Sequence, residues 1–246
     1  DPNFIYCPMI DTSNVTNMSY KFNSFSSLQS IPLLDTSNVT DMQNMFSSCS
    51  LLTKIPLLDT SKVTNMAKMF SSCLSLQSIP LLDTSKVTNM NYMFSICRSL
   101  QSIPLLNTSN VTNMENMFSN CSSLQSIPLL DTSKVTNMSG IFGNCKSLST
   151  IPPLNTSKVT NMYYMVNSCE LLKSIPLLDC GNVTNMNDFF GWYSIDTLTD
   201  LGGFKDLKIS VTSSFLERTP NLTVDSLMNV INNVYDLTAN GLSGQS

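Results

Sequence analysis

No histidine occurs in this 246-residue chain. Its absence removes Ser-His-Asp and Cys-His catalysis, His-ligated zinc and the usual neutral-pH proton carrier together. Charge is scarce as well: Asp, Glu, Lys and Arg make up 12% of the residues, about half the share of an ordinary globular chain. Their balance, a formal net charge of −4, gives no electrostatic hold on nucleic acid or on anionic lipid. No apolar run approaches the roughly 18 residues of a membrane-spanning helix, so no membrane insertion is expected within this chain. The eight cysteines include no Cys-x-x-Cys pair, and spacing therefore supports no zinc site. What is present is 42% hydrophobic residues, enough for a large core, set among Ser, Thr, Asn and Gln.

Those residues repeat. Asp-Thr-Ser begins at Asp11, Asp35, Asp59, Asp83 and Asp131, Asn-Thr-Ser at Asn107 and Asn155, and an altered copy reads Asp179-Cys180-Gly181. Each start falls 24 residues after the last, without insertion or deletion. Apolar residues then form columns: Val39, Val63, Val87 and their equivalents, Met42, Met66, Met90, then Phe46, Phe70, Phe94, then Leu52, Leu76, Leu100, then Ile55, Ile79, Ile103. A single unit of this length cannot bury such side chains alone, whereas stacked coils give each column a neighbour above and below. The expected fold is thus a repeat solenoid, with short strands stacked into a parallel sheet. Leu-x-x-Ile reads as a strand ended by proline and Val-Thr-Asn-Met as a second extended piece. Met-x-x-Met-Phe-x-x-Cys has helical spacing and predicts about one helical or 3₁₀ turn. At the roughly 4.8 Å spacing of paired strands, eight coils give a rod on the order of 40 Å long.

The stretch Phe-x-x-Cys-x-x-Leu-x-x-Ile-Pro followed by Val-x-x-Met resembles BspA-like leucine-rich repeats, in the Asp-Thr-Ser-Asn-Val-Thr-Asn-Met branch common in bacterial surface proteins. The resemblance covers about residues 6–195. It implies a leucine-rich-repeat solenoid, non-catalytic, displayed on the cell surface and engaged in adhesion or host contact.

Three segments are expected: a partial repeat or N-terminal edge at 1–10, the solenoid of eight units at 11–200, and a C-terminal cap at 201–246. Leu207-Lys208-Ile209-Ser210-Val211 alternates like a last strand. Thr223 suits a helix N-cap, with an apolar stripe predicting a helix over about 223–238. A cap has a purpose, because an open solenoid end exposes core columns and strand edges. The start of another domain is the alternative.

Polar columns invite chemistry but have structural explanations. Cys49, Cys73, Cys97, Cys121, Cys145 and Cys169, one per coil, are expected to be buried free thiols packing as small hydrophobes, because parallel side chains in adjacent coils rarely meet disulfide geometry. One carboxylate per coil is too few for calcium, which takes six to eight oxygens. An Asx turn, in which Asp or Asn accepts backbone amides two residues on, explains Asp and Asn at the same position equally well. The Asn17, Asn65, Asn89 column, with Asp41 in step, reads as a buried amide ladder.

Positions that differ between coils are where a ligand could be read. Gln77, Gln101 and Gln125 form a neutral amide row on the strand side, and Tyr92, Tyr163 and Tyr164 lie near the predicted helical turn. Tyrosine with amides and hydroxyls suits contact with proteins or sugars. These six are the candidate ligand-binding residues; no catalytic residue, metal ligand or cofactor is expected, since almost every polar motif is copied per coil, residues outside the period offer no recognisable set, and an enzyme needs a unique constellation. Two readings remain open: an extracellular adhesion or recognition protein with a protein or glycan partner, and a structural spacer or assembly component of a surface layer or phage-like tail, for which self-association would be the sign.

Overall fold

The computed structural model describes residues 10–191, 195–207, 219–226 and 228. Within them the chain winds as stacked coils, each lying on the next with like residues superposed. The coil beginning at Asp59 shows how the sequence does this. The Asp59 carboxylate accepts the Ser61 amide at 3.0 Å and the Ser61 hydroxyl at 2.7 Å, closing the first corner as an Asx turn. The Val63 amide returns to Thr60 carbonyl at 2.9 Å, which aims Val63 into the core. Asn65 then makes a second Asx turn, its side-chain oxygen accepting the Ala67 amide at 3.1 Å.

From Met66 onward the stretch predicted to be helical is a chain of tight turns. Amides of Met69, Ser71, Cys73 and Leu76 donate to carbonyls three residues earlier, at Met66, Lys68, Phe70 and Cys73. The intervening amides of Met66, Lys68, Phe70 and Ser72 leave the coil altogether and donate to Asn89, Asn91, Met93 and Ser95 of the next one. Lys68 and Ser72 hold left-handed φ angles of 57° and 61°, incompatible with a helical turn. Helical spacing misleads here for a geometric reason. A chain of turns also directs every third or fourth side chain inward, so Met66, Met69, Phe70 and Cys73 are all fully buried without any helix.

The parallel sheet is also sparser than the sequence suggests. Two-residue strands occur at β1 (Ser174–Ile175), β2 (Leu178–Asp179), β3 (Asp200–Leu201) and β4 (Phe204–Lys205). β1 pairs in parallel with β3, Ser174 opposite Asp200, and β2 with β4, Leu178 opposite Phe204, so coil winding continues past residue 200. Elsewhere among the described residues the coils touch through single parallel bridges, Asn17 to Asp41 and on to Asn185 along one column, and Thr150 to Ser174. Proline explains the gap: each Ile-Pro step lacks the amide that a continuous ladder would need there.

The core is one continuous cluster. Phe22, Phe46, Phe70, Phe94, Phe118 and Phe142 stack ring upon ring, centroids 5.5–6.0 Å apart and planes within 3–7°, within the favourable range for parallel aromatic pairs. Val166 interrupts this stack, and beyond it Phe189 meets Phe190 and Phe204 edge-on. At the far end the Thr223 hydroxyl accepts the Ser226 amide at 3.2 Å, capping helical residues at 224–226 and 228. Residues 208–211 of the expected last strand, most of the 223–238 helix and Cys7 lie outside the described residues.

Candidate functional site

Each polar column resolves into a specific set of bonds. The Asp column is a row of Asx corners: Asp11, Asp35, Asp59, Asp83 and Asp131 accept the amide of the serine two residues on at 2.9–3.0 Å, and Asn107 and Asn155 do so at 3.1 and 3.2 Å. The serine hydroxyl and then its amide hold the carboxyls of Asp35, Asp59, Asp83 and Asp131 below the ordinary carboxylate range. The described residues contain no group of three or more Cys, Asp or Glu placed to hold a metal ion. The expected buried amide ladder is instead a second row of Asx turns. Asn17, Asp41, Asn65, Asn89, Asn113, Asn137, Asn161 and Asn185 each accept the amide two residues ahead in their own coil, and they are half-buried or exposed. These residues sit at the rim, where the chain turns, and not inside the coil.

The seven cysteines among the described residues are free and buried. Each thiol of Cys49 through Cys169 donates to the phenylalanine-column carbonyl 27 residues earlier, at 3.0–3.1 Å. Burial pushes Cys49, Cys121, Cys169 and Cys180 up to about 12, and Cys73, Cys97 and Cys145 well above 9.0. A thiol so protonated is a poor nucleophile.

The candidate ligand residues fall on two different stretches of the coil. Gln77, Gln101 and Gln125 are brought into one row: Gln101 amide donates to Gln77 carbonyl at 3.3 Å and Gln125 amide to Gln101 carbonyl at 3.2 Å, and all three side chains are exposed. The tyrosines lie on the turn chain. Tyr92, half-buried, donates its hydroxyl to Glu115 at 2.9 Å, and Lys68 sits 5.2 Å from the ring centroid, a cation–π distance. Desolvation, then Glu115, raises its phenol above the usual value. Tyr92 is thus engaged by its neighbours. Tyr163, 40% exposed, packs against Tyr164 at 4.5 Å between centroids, leaving an amphipathic pair at the surface.

Three features had weak or ambiguous signals in the sequence. Thr36, Thr60, Thr84, Thr108, Thr132 and Thr156 are buried, and each donates its hydroxyl to the first-corner carbonyl of the next coil at 2.8–2.9 Å. Left-handed residues recur in two columns, one of them at Tyr20, Asn44, Lys68, Tyr92, Asn116, Gly140, Tyr164 and Asp188. The third is an outward leucine row: Leu33, Leu57, Leu81, Leu105 and Leu129 are 62–74% exposed and Leu177 is 48% exposed. The Pro-Leu-Leu triplet contained that signal, since neighbouring residues of an extended segment cannot both face inward.

A family model described as "Mycoplasma protein of unknown function, DUF285" matches residues 7–103, 97–194 and 147–238, most of the chain. The chain belongs to this family. The family's three overlapping matches follow the coil array on both sides of residue 200. No curated protein matches the chain. Among solved structures it is similar to a leucine-rich repeat protein from Bacteroides ovatus, at 20% identity and a TM-score of 0.44, over 80% of this chain and 59% of that one. It is also similar to a leucine-rich cell surface protein from Faecalibacterium prausnitzii, at 16% identity and a TM-score of 0.36, over 83% of this chain and 79% of that one. Both likenesses are loose. This member of the DUF285 family thus spans under two thirds of the Bacteroides protein's length.

Proposed function

We propose that this chain is a non-enzymatic recognition module, displayed on a cell surface and binding a protein or glycan through an exposed side of its solenoid. One observation carries the reading: the scaffold repeats its core and corners while a surface column changes chemistry from coil to coil. Of the eight left-handed positions in this column, Tyr20, Lys68 and Asp188 are exposed, Tyr92, Asn116 and Tyr164 half-buried, and Asn44 and Gly140 buried. A rigid backbone that varies such side chains is suited to contact and poorly suited to chemistry, since among the described residues no coil position gathers an acid, a base and a nucleophile. Surface display follows from the resemblance of the repeat to BspA-like surface proteins. Tyr163 and Tyr164 supply rigid amphipathic area with few rotors to freeze, and the Gln77, Gln101 and Gln125 row supplies donors and acceptors.

A glycan array and an intact-cell binding assay test this, run with the wild-type chain and with Tyr163→Ala/Tyr164→Ala. The expected result is selective binding that falls at least about tenfold in the variant, as loss of an aromatic anchor does at other interfaces. Absence of selective binding overturns the recognition reading; binding unchanged in the variant overturns the tyrosine assignment.

A further inference from the structure

We infer that the outward leucine row is an interface for a second copy of this chain, face to face along the coil array. This goes beyond the recognition reading and does not rest on it, because the row shares no residue with the tyrosine pair or the glutamine row. Leu33, Leu57, Leu81, Leu105, Leu129 and Leu177 occupy the same coil position, with Pro153 standing in line between the last two. Behind each lies a buried leucine, and beside each a half-buried proline. Over the first coils the row and the Asp35, Asp59 and Asp83 corners line an open groove of about 670 Å³.

Area is the first argument for a partner. Leucines at some three-fifths exposure leave roughly 100 Å² each, so six leave about 600 Å², at the top of the range of about 300–600 Å² for the largest apolar patch of an ordinary monomer. With the flanking prolines the strip nears the roughly 800 Å² that each partner contributes to a standard stable interface. Shape is the second. The row is a comb with one tooth per coil, held to a single rise by the stacking of every coil. A surface that matches a comb tooth for tooth along its length must have the same rise, and a second copy has it by construction. Charge is the third. The strip itself is uncharged, and its acidic neighbours are confined to one flank, with Lys54, Ser78, Ser102 and Ser126 on the other. Two copies related by a two-fold axis along the coil array therefore set aspartates against the serines and Lys54, whereas a two-fold across the array would set aspartates against aspartates, which costs stability. The closed, self-complementary form of such a contact is a dimer.

Sedimentation velocity over about 1–100 μM, the range in which standard interfaces of modest affinity dissociate, reads the assembly directly. The wild-type chain is expected to dimerise. Leu81→Lys/Leu105→Lys, at exposed positions outside the core, is expected to keep the same circular dichroism and to weaken the dimer at least about tenfold. Thr88→Lys/Thr112→Lys, at exposed positions that neither line the groove nor belong to the candidate binding surface, is expected to dimerise as the wild type does. Leu105→Cys places an accessible thiol at the centre of the contact and is expected to form an intermolecular disulfide on mild oxidation, well beyond any formed by the wild type, whose described thiols are buried. Three results each overturn the inference: a wild-type monomer throughout the range, a leucine variant that dimerises unchanged, or a Leu105→Cys chain that cross-links no more than the wild type.

Discussion

Left-handed backbone is concentrated at two positions per coil, and the residue found there sets a local cost. One column holds Ser24, Ser48, Ser72, Asn120, Asn144 and Ser168, and at Ile96 the same conformation, φ 64°, is imposed on a β-branched side chain. That is an outlier for isoleucine, and left-handed backbone costs an ordinary L-residue roughly 1–2 kcal/mol. Asparagine tolerates it better, so Ile96→Asn is expected to stabilise the chain by about 1 kcal/mol, read as a higher denaturant midpoint with unchanged slope. Titration is a residue-scale matter too. Burial raises the thiols of seven cysteines, four of them to about 12, whereas an unfolded thiol ionises at about 8.5. A group whose folded pKa is the higher one favours the folded state below its unfolded pKa, and that contribution is lost as pH climbs toward the folded value. Stability is therefore expected to hold to about pH 8 and to fall progressively between about pH 8.5 and 12, measured as the denaturant midpoint against pH. The aspartate corners work in the opposite sense: their depressed pKa adds stability above the ordinary value of 3.8 that is lost on acidification.

At the scale of the element, the coil is held by two hydroxyl ladders that look alike in sequence and differ in burial. Thr84, 1% exposed, donates to Asn107 carbonyl at 2.8 Å; Thr88, exposed, donates to Thr64 carbonyl at 3.3 Å. Removing the first hydroxyl leaves a carbonyl without its donor in a part-buried corner, where the penalty is about 1–3 kcal/mol. Water replaces the second at little cost. Thr84→Val is accordingly expected to lower the stability read from chemical unfolding by that amount and Thr88→Val to leave it within about 0.5 kcal/mol of wild type. The same element shows where pattern reading reached its limit. Met66, Met69, Phe70 and Cys73 were legible as inward residues from their spacing alone. Whether a helix or a chain of turns put them there was not, because both direct side chains inward at intervals of three and four. The deciding feature is the destination of the alternate amides, to the next coil at Asn91, Met93 and Ser95, and no single coil contains that information.

For the whole molecule, stability comes from contacts between neighbouring coils, as in other solenoids. Phe94 lies between Phe70 and Phe118 in the ring stack, so Phe94→Ala opens a cavity in mid-array and is expected to cost about 3–5 kcal/mol, measured by chemical unfolding. Of the candidate surface, the glutamine row was visible in the sequence as a column and the structure makes it one. The leucine row was not, because Leu33 and Leu34 read as one apolar pair until the coil closes, Leu34 inward at 4% exposure and Leu33 outward at 74%. The sequence by itself determined the period, the valine, methionine, phenylalanine, leucine and isoleucine columns that begin at Val39, Met42, Phe46, Leu52 and Ile55, and the corner chemistry of the Asp35, Asp59 and Asp83 column, since each is a local or strictly repeated property. Only the tertiary structure decided the backbone path between corners, the ladder of buried threonines and the face each leucine takes, because those depend on hydrogen bonds and burial that exist only between one coil and the next.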